Sequence, residues 1–266
     1  MSANALDHQK IHAALGARGI ALFGQLNRCL LDFLLPPRCL TCNREIDRSG
    51  GLCPTCWSEV PFIEAPLCDR YGTPFSHDMG EGAVSPRAIA EPPLFDRARA
   101  VAIYSGKARE MVHRFKYGAR RELAAPMARL MARAGQELFE DDCLLVPVPL
   151  HWTRRIERRF NQAADLAVEL GRETGQPVLL QGLQRTRKTQ RQVGLSGKDR
   201  IRNVRGAFAV SEAGRARVFG QRIVLVDDVL TTGSTVQTCV RVLRSAGAGQ
   251  VDVLTFALAD LTSASS

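Results

Sequence analysis

Residues 223–235 read Ile223-Val224-Leu225-Val226-Asp227-Asp228-Val229-Leu230-Thr231-Thr232-Gly233-Ser234-Thr235. Ile223 to Val226 is an apolar run with no polar break, the composition of a central parallel strand covered on both faces. Asp227 and Asp228 fall where such a strand is expected to surface at its carboxyl end, the edge at which open α/β sheets bind ligands. Thr231, Thr232, Ser234 and Thr235 then crowd hydroxyls and backbone N–H groups around Gly233. A helix starting there would aim its positive end at the same spot, so the loop suits a phosphate monoester.

Blander readings compete with that one. Thr and Ser are ordinary helix N-caps, and an acidic pair after a strand can be solvated loop. Phosphotransfer receivers and Mg-dependent phosphatases also carry carboxylates at strand ends, but neither calls for a Thr-Thr-Gly-Ser-Thr run immediately downstream. The whole pattern, four apolar residues, Asp-Asp, two apolar residues and Thr-Thr-Gly-x-Thr, resembles the phosphoribosyl diphosphate (PRPP) motif of type I phosphoribosyltransferases.

The 266 residues suffice for one α/β domain plus a small satellite module, and 45% hydrophobic content supports a real core. Charged residues at 24% argue against disorder. A formal net charge of +9 favours anionic ligands, whether phosphates, nucleotides or nucleic acid. With 6% aromatic residues, composition does not indicate a single-strand platform built on base stacking.

Cys39-x-x-Cys42 is followed, after ten residues, by Cys53-x-x-Cys56. Each pair presents two sulfurs from one turn, and two such knuckles complete a tetrahedron around Zn²⁺. Four thiolates leave no position for water, so the site is read as structural. A redox-active pair would need only one Cys-x-x-Cys. Cys68-Asp69-Arg70-Tyr71 reads as a further knuckle whose second cysteine has become Tyr71, and a single thiolate does not hold a metal. Cys29, Cys143 and Cys239 lie in apolar surroundings and read as core residues.

Leu22, Phe23, Leu26, Leu30, Phe33 and Leu34 recur at helical spacing up to Pro36-Pro37, predicting an amphipathic helix. Arg18, Arg28 and Asp32 interrupt this region, so it is read as neither a signal peptide nor a membrane span, and the expected location is the cytoplasm. Residues 76–93, rich in Gly, Pro, Ser and Ala, read as a linker. Beyond Arg97 strands and helices alternate. Strands are expected at 98–104, 144–149, 178–183, 207–210, 223–226 and 251–258, and helices at 108–117, 122–139 and 161–174. That alternation predicts an α/β fold with a parallel sheet flanked by helices.

Three basic clusters accompany it. Val146-Pro147-Val148-Pro149-Leu150-His151 ends a strand and is followed by Arg154, Arg155, Arg158 and Arg159, whose guanidinium forks suit a diphosphate, although a solvated basic helix start reads almost equally well. Residues 185–206 are strongly basic and suit either a loop closing over a polyanion or a nucleic-acid contact. Arg114, Lys116 and Arg120 surround Phe115-Lys116-Tyr117-Gly118.

In their order along the chain, the double knuckle, Phe115-Lys116-Tyr117-Gly118, Val146 to His151, Arg159-Phe160-Asn161-Gln162-Ala163, Gln192-Val193-Gly194-Leu195-Ser196, Arg200-x-x-Asn203-Val204-x-Gly206-Ala207-Phe208 and the PRPP-type motif are similar to the ComF/GntX family. Arg159 departs from the glycine expected before Phe-Asn-Gln, and the knuckle at Cys68 is degenerate. The resemblance implies a type I phosphoribosyltransferase fold with a four-cysteine zinc module and, in some members, an association with DNA uptake.

It implies an organisation into a tail and helix (1–37), a zinc-ribbon-like module (38–75), a linker (76–96) and a phosphoribosyltransferase-like domain (97–262). Thr231, Thr232, Gly233, Ser234 and Thr235 would hold the 5′-phosphate of PRPP. Asp227 and Asp228 would be the catalytic acids on the ribose hydroxyls, Lys116, Arg154 and Arg158 would face the diphosphate, and Mg²⁺ would arrive with PRPP. The expected function is phosphoribosyl transfer to an unnamed acceptor. The competing expectation is a non-catalytic PRPP or nucleotide sensor that binds single-stranded DNA or a DNA-uptake partner.

Overall fold

A computed structural model describes residues 36–47, 50–117, 120–150, 161–186 and 206–259. The chain divides into two compact units, 1–53 and 54–266. In the first, the described residues form a tight turn: Arg38 and Glu45 make an antiparallel bridge. The Cys39 N–H donates to Arg44 O at 2.7 Å and the Asn43 N–H to Cys39 O at 3.1 Å. Asn43 takes the left-handed conformation (φ 59°) that closes the turn, which asparagine tolerates well.

The second unit runs α1 (Pro54–Ser58), α2 (Pro86–Ala90), β1 (Ala98–Ile103) and α3 (Gly106–Tyr117). A 3₁₀ turn (Arg121–Leu123), α4 (Ala124–Ala134), a second 3₁₀ turn (Gln136–Phe139), β2 (Leu144–Pro147) and α5 (Gln162–Thr174) follow. The chain then gives β3 (Leu183–Arg185), β4 (Phe208–Val210), α6 (Glu212–Val218), β5 (Ile223–Leu230), α7 (Ser234–Ser245) and β6 (Val251–Leu258).

Four strands pair in the order β1-β6-β5-β2, every pairing parallel, while β3 and β4 form a separate antiparallel pair. The predicted parallel sheet flanked by helices is therefore present. All eight residues of β6 are buried, including Asp252 and Thr255, as expected for a mostly apolar strand with a neighbour on each side. α7 buries Val236, Cys239, Val240 and Leu243, the i, i+3, i+4, i+7 stripe of an amphipathic helix packed on a sheet. Phe115, Leu145, Phe256 and Ile223 are among the largest fully buried side chains, and burying each contributes about 1.5–3 kcal/mol.

The expectations for 98–104, 108–117, 144–149, 161–174 and 251–258 match elements to within about two residues. The helix expected over 122–139 is broken: Gly135 ends α4, and 3₁₀ turns flank that helix. Within 178–183, Val178 makes only an isolated parallel bridge to Leu145, and the regular strand begins at Leu183. The stretch read as a linker contains α2, whose N-cap Ser85 accepts a hydrogen bond from the Ala88 N–H. The helix expected before Pro36, the arginines at 154–159 and most of the 185–206 loop lie outside the described residues.

Candidate functional site

The site is built on the carboxyl half of β5. Residues 223–226 are completely buried, which follows from having β2 on one side and β6 on the other. The β2 pairing ends at Pro147↔Val226, whereas β6 continues alongside to Leu230↔Leu258. β5 thus runs four residues beyond the point where the sequence suggested it would end. Asp227 and Asp228 stand inside the strand, held by β6, along the edge that β2 has vacated. This corrects the expected strand end at Val226: pairing with the buried β6 carries two residues of poor strand propensity.

Asp228 is buried and meets Lys116, whose Nζ lies 2.7 Å from its Oδ1. Asp227 is half-buried, and its charge is felt both by Cys239 of α7 and by Lys116. Its Oδ1 accepts the Asp228 N–H at 2.8 Å. Lys116 comes from the last turn of α3. Burial disfavours its ammonium, but the carboxylates of Asp228 and then Asp227 outweigh that and raise its pKa above the ordinary lysine value. Sequence reasoning listed Lys116 as a phosphate ligand; the structure places it on an acid of the same site.

Past Leu230 the chain turns through Thr231, Thr232 and Gly233 into α7. Gly233 is the N-cap residue with φ 76°, a left-handed conformation that glycine adopts without strain. Gly233 has no side chain to cap this helix end, where the positive end of the helix dipole lies. The Thr232 and Ser234 hydroxyls are 3.0 Å apart, and Thr231 and Thr232 are exposed while Ser234 is buried. Thr235 occupies the first turn of α7. Hydroxyls, N–H groups and a dipole therefore converge within one turn, the donor set that holds a phosphate dianion.

Two carboxamides that the sequence reading did not assign to the site border it. Gln162, at the start of α5, is buried and donates from Nε2 to the Lys116 carbonyl at 3.4 Å. Asn161 donates from Nδ2 to Val148 O at 3.4 Å, and its buried Oδ1 has no hydrogen-bond partner among the described residues. Their position after the Arg-rich run was the available signal. Arg154 and Arg158 themselves are outside the described residues.

The other centre is metallic. The ligand atoms of Cys39, Cys42, Cys53 and Cys56 all lie within 4.8 Å of one another, the one such group among the described residues. The Cys42 and Cys53 sulfurs are 3.6 Å apart, too far for a disulfide at about 2.05 Å. Tetrahedral Zn–S bonds of about 2.3 Å put sulfurs roughly 3.8 Å apart, so the set fits zinc. Burial pushes the Cys39 thiol up, but hydrogen bonds with Thr41 and from the backbone of Cys42, Cys53 and Thr41 prevail and bring it to about 5, favouring the thiolate a metal needs. This is a structural zinc site.

Cys68 does not fit a metal. Its sulfur accepts the N–H groups of Ser85 at 3.2 Å and Tyr71 at 3.5 Å, as a knuckle sulfur does. Where a second ligand would stand, Tyr71 instead packs edge-on to Phe95, lies under the Arg87 guanidinium and donates to Glu91 O at 3.0 Å.

Two family models match: a double zinc ribbon domain over residues 30–88 and a phosphoribosyl transferase domain over 161–262. A relative named DNA utilization protein YhgH, from Salmonella typhimurium, is 35% identical over 82% of this chain and 96% of its own length. The chain belongs to the ComF/GntX family. Competence protein F of Haemophilus influenzae is 28% identical over 81% of the chain and 94% of its own. Competence protein ComFC of Bacillus subtilis is 26% identical over 74% and 79%. Within this ComF/GntX-family chain, β5, the acids, the loop and α7 all fall in the segment matched as phosphoribosyl transferase, and the four cysteines fall in the zinc ribbon match. Among the described residues no helix is long and apolar enough to cross a membrane.

Proposed function

We propose that this protein binds PRPP across the carboxyl edge of β5 and transfers its phosphoribosyl group to an acceptor with release of diphosphate. What supports the reading above all is the junction of an acid pair with a helix N-terminus whose N-cap, Gly233, lies five residues beyond Asp228. The 5′-phosphate would sit on Thr231, Thr232, Gly233, Ser234 and Thr235, taking backbone N–H and hydroxyl donors. Asp227 and Asp228 would accept the ribose 2′- and 3′-hydroxyls, and their negative charge would stabilise the cationic ribose ring formed as the bond to diphosphate breaks. Lys116, Arg154 and Arg158 would neutralise the leaving group. Bound Mg²⁺ would supply charge neutralisation at diphosphate and ribose oxygens, with little direct ligation by protein side chains.

The names of the relatives, DNA utilization and competence proteins, together with a charge of +9, favour a second reading. In it the same pocket senses PRPP or a nucleotide while basic loops contact single-stranded DNA or a DNA-uptake partner in the cytoplasm. Diphosphate release separates the two. Steady release from PRPP with a panel of nucleobase and amine acceptors supports transfer; PRPP binding without release, coupled to DNA binding, supports the sensor.

A further inference from the structure

Gln237 ties the turn that opens α7 to Leu94, 143 residues earlier in the chain. Its main-chain N–H donates to Gly233 O at 2.7 Å, closing the first turn of the helix. Its side-chain Oε1 accepts the Leu94 N–H at 2.8 Å. A Cβ built on Gly233 would lie 3.8 Å from Gln237 Cγ, so the glutamine stem rests beside the loop, as helical side chains lean towards the N-terminus. Gly233 brings no capping side chain of its own, and a helix start without one lacks a contact that ordinarily pins it.

Leu94 belongs to a strap, residues 91–96, that is fastened along its length. The Tyr71 hydroxyl donates to Glu91 O at 3.0 Å, and Arg70 Nη2 donates to Pro93 O at 3.1 Å and Phe95 O at 2.7 Å. Asp96 accepts the Val251 N–H at 2.8 Å and pairs with Arg244 in the last turn of α7. The strap thus grips α7 near both ends, and Arg70 and Tyr71 of the single-cysteine knuckle hold the strap. We propose that Gln237 is a positioning residue through which the strap sets the phosphate-binding turn, so that the knuckle at Cys68 braces the ligand site instead of holding a metal. The inference rests on the PRPP reading above. It concerns how the backbone donors of the turn are held, and gives Gln237 no contact with the ligand.

The test uses the full-length, zinc-loaded protein. Amide hydrogen exchange at Leu94 is followed in wild type with and without PRPP and Mg²⁺. Pro92 and Pro93 carry no amide hydrogen, so a short peptide over this stretch reports Leu94 with few neighbours. A strap that steadies the turn is steadied by it in return. Exchange at Leu94 is therefore expected to slow about three-fold or more when PRPP binds, while the Gly214 amide, which donates to Ser211 Oγ at the start of α6, is unchanged. Calorimetry then compares PRPP binding by wild type, Gln237→Met, Leu94→Pro and the double variant. The first change removes the acceptor of the bond and the second its donor. Each single variant is expected to bind PRPP about five-fold more weakly at a melting temperature within about 2 °C of wild type. The double variant is expected to lose no more than either single, because both act through one bond. Leu94 exchange that PRPP leaves unchanged, single variants that both stay within about two-fold of wild type, or losses that multiply in the double variant overturn the inference while the PRPP reading stands. Wild type that does not bind PRPP overturns that reading and the inference with it.

Discussion

Asp227 and Asp228 are neighbours on β5 and make different contacts. Asp227 turns its Oδ1 back to accept the Asp228 N–H at 2.8 Å, while Asp228 spends its own Oδ1 on Lys116 at 2.7 Å. Identical chemistry therefore carries unequal structural weight. Asp228→Asn leaves a buried ammonium without its counter-charge and is expected to destabilise the protein by about 1–3 kcal/mol. Asp227→Asn keeps an acceptor for the same N–H and should stay within about 0.5 kcal/mol of wild type. Urea unfolding of the two variants measures the difference.

The ion pair also predicts a pH dependence. The folded-state pKa of Lys116 is raised above its ordinary 10.5 by Asp228 and Asp227 against the opposing effect of burial. Its contribution to stability is thus fully present below about 10.5 and is lost as pH rises through the higher folded value. Between pH 9 and pH 11.5, wild type is expected to lose its stability margin over Lys116→Met. A margin constant across that range would show that the pair adds no pH-dependent stability.

Much of this was legible in the chain. β6 and α5 were readable to within a residue because a mostly apolar run, broken only by Asp252 and Thr255, and a 3.6-residue period each report a single environment. The length of β5 was not, since Asp227-Asp228 reads as a strand end and only the register Asp227↔Thr255 to Leu230↔Leu258 keeps the strand going. The hydroxyl residues of the loop between β5 and α7 were readable as residue types. Where Lys116 points was not, because that contact joins α3 to β5 across more than a hundred residues, and no local pattern encodes it. α6 was missed because Glu212–Val218 is short and contains Gly214.

The four-cysteine set predicts one zinc per chain, although the matched ribbon domain is described as double. Metal analysis of protein purified without added zinc should return one equivalent. Cys39→Ser or Cys53→Ser should reduce it sharply and lower the melting temperature, whereas Cys68→Ser, whose sulfur serves two N–H groups, should retain it.

Two glycines with left-handed backbones predict opposite tolerance to alanine. At Gly72 (φ 63°) a Cβ would lie 2.3 Å from the Ala98 carbonyl oxygen at the start of β1, so Gly72→Ala must displace backbone and is expected to cost more than about 3 kcal/mol. At Gly233 (φ 76°) the nearest atoms are 3.8 Å away, so Gly233→Ala meets only the conformational cost of about 1–2 kcal/mol. Thermal unfolding of both variants decides between them.

The central claim is that the β5–α7 junction binds PRPP, and calorimetric titration of zinc-loaded protein with PRPP and Mg²⁺ tests it most directly. Wild type is expected to bind at micromolar strength, and the Asp227→Asn/Asp228→Asn double variant at least about ten-fold more weakly. No binding by wild type, or equal binding by the double variant, would contradict it.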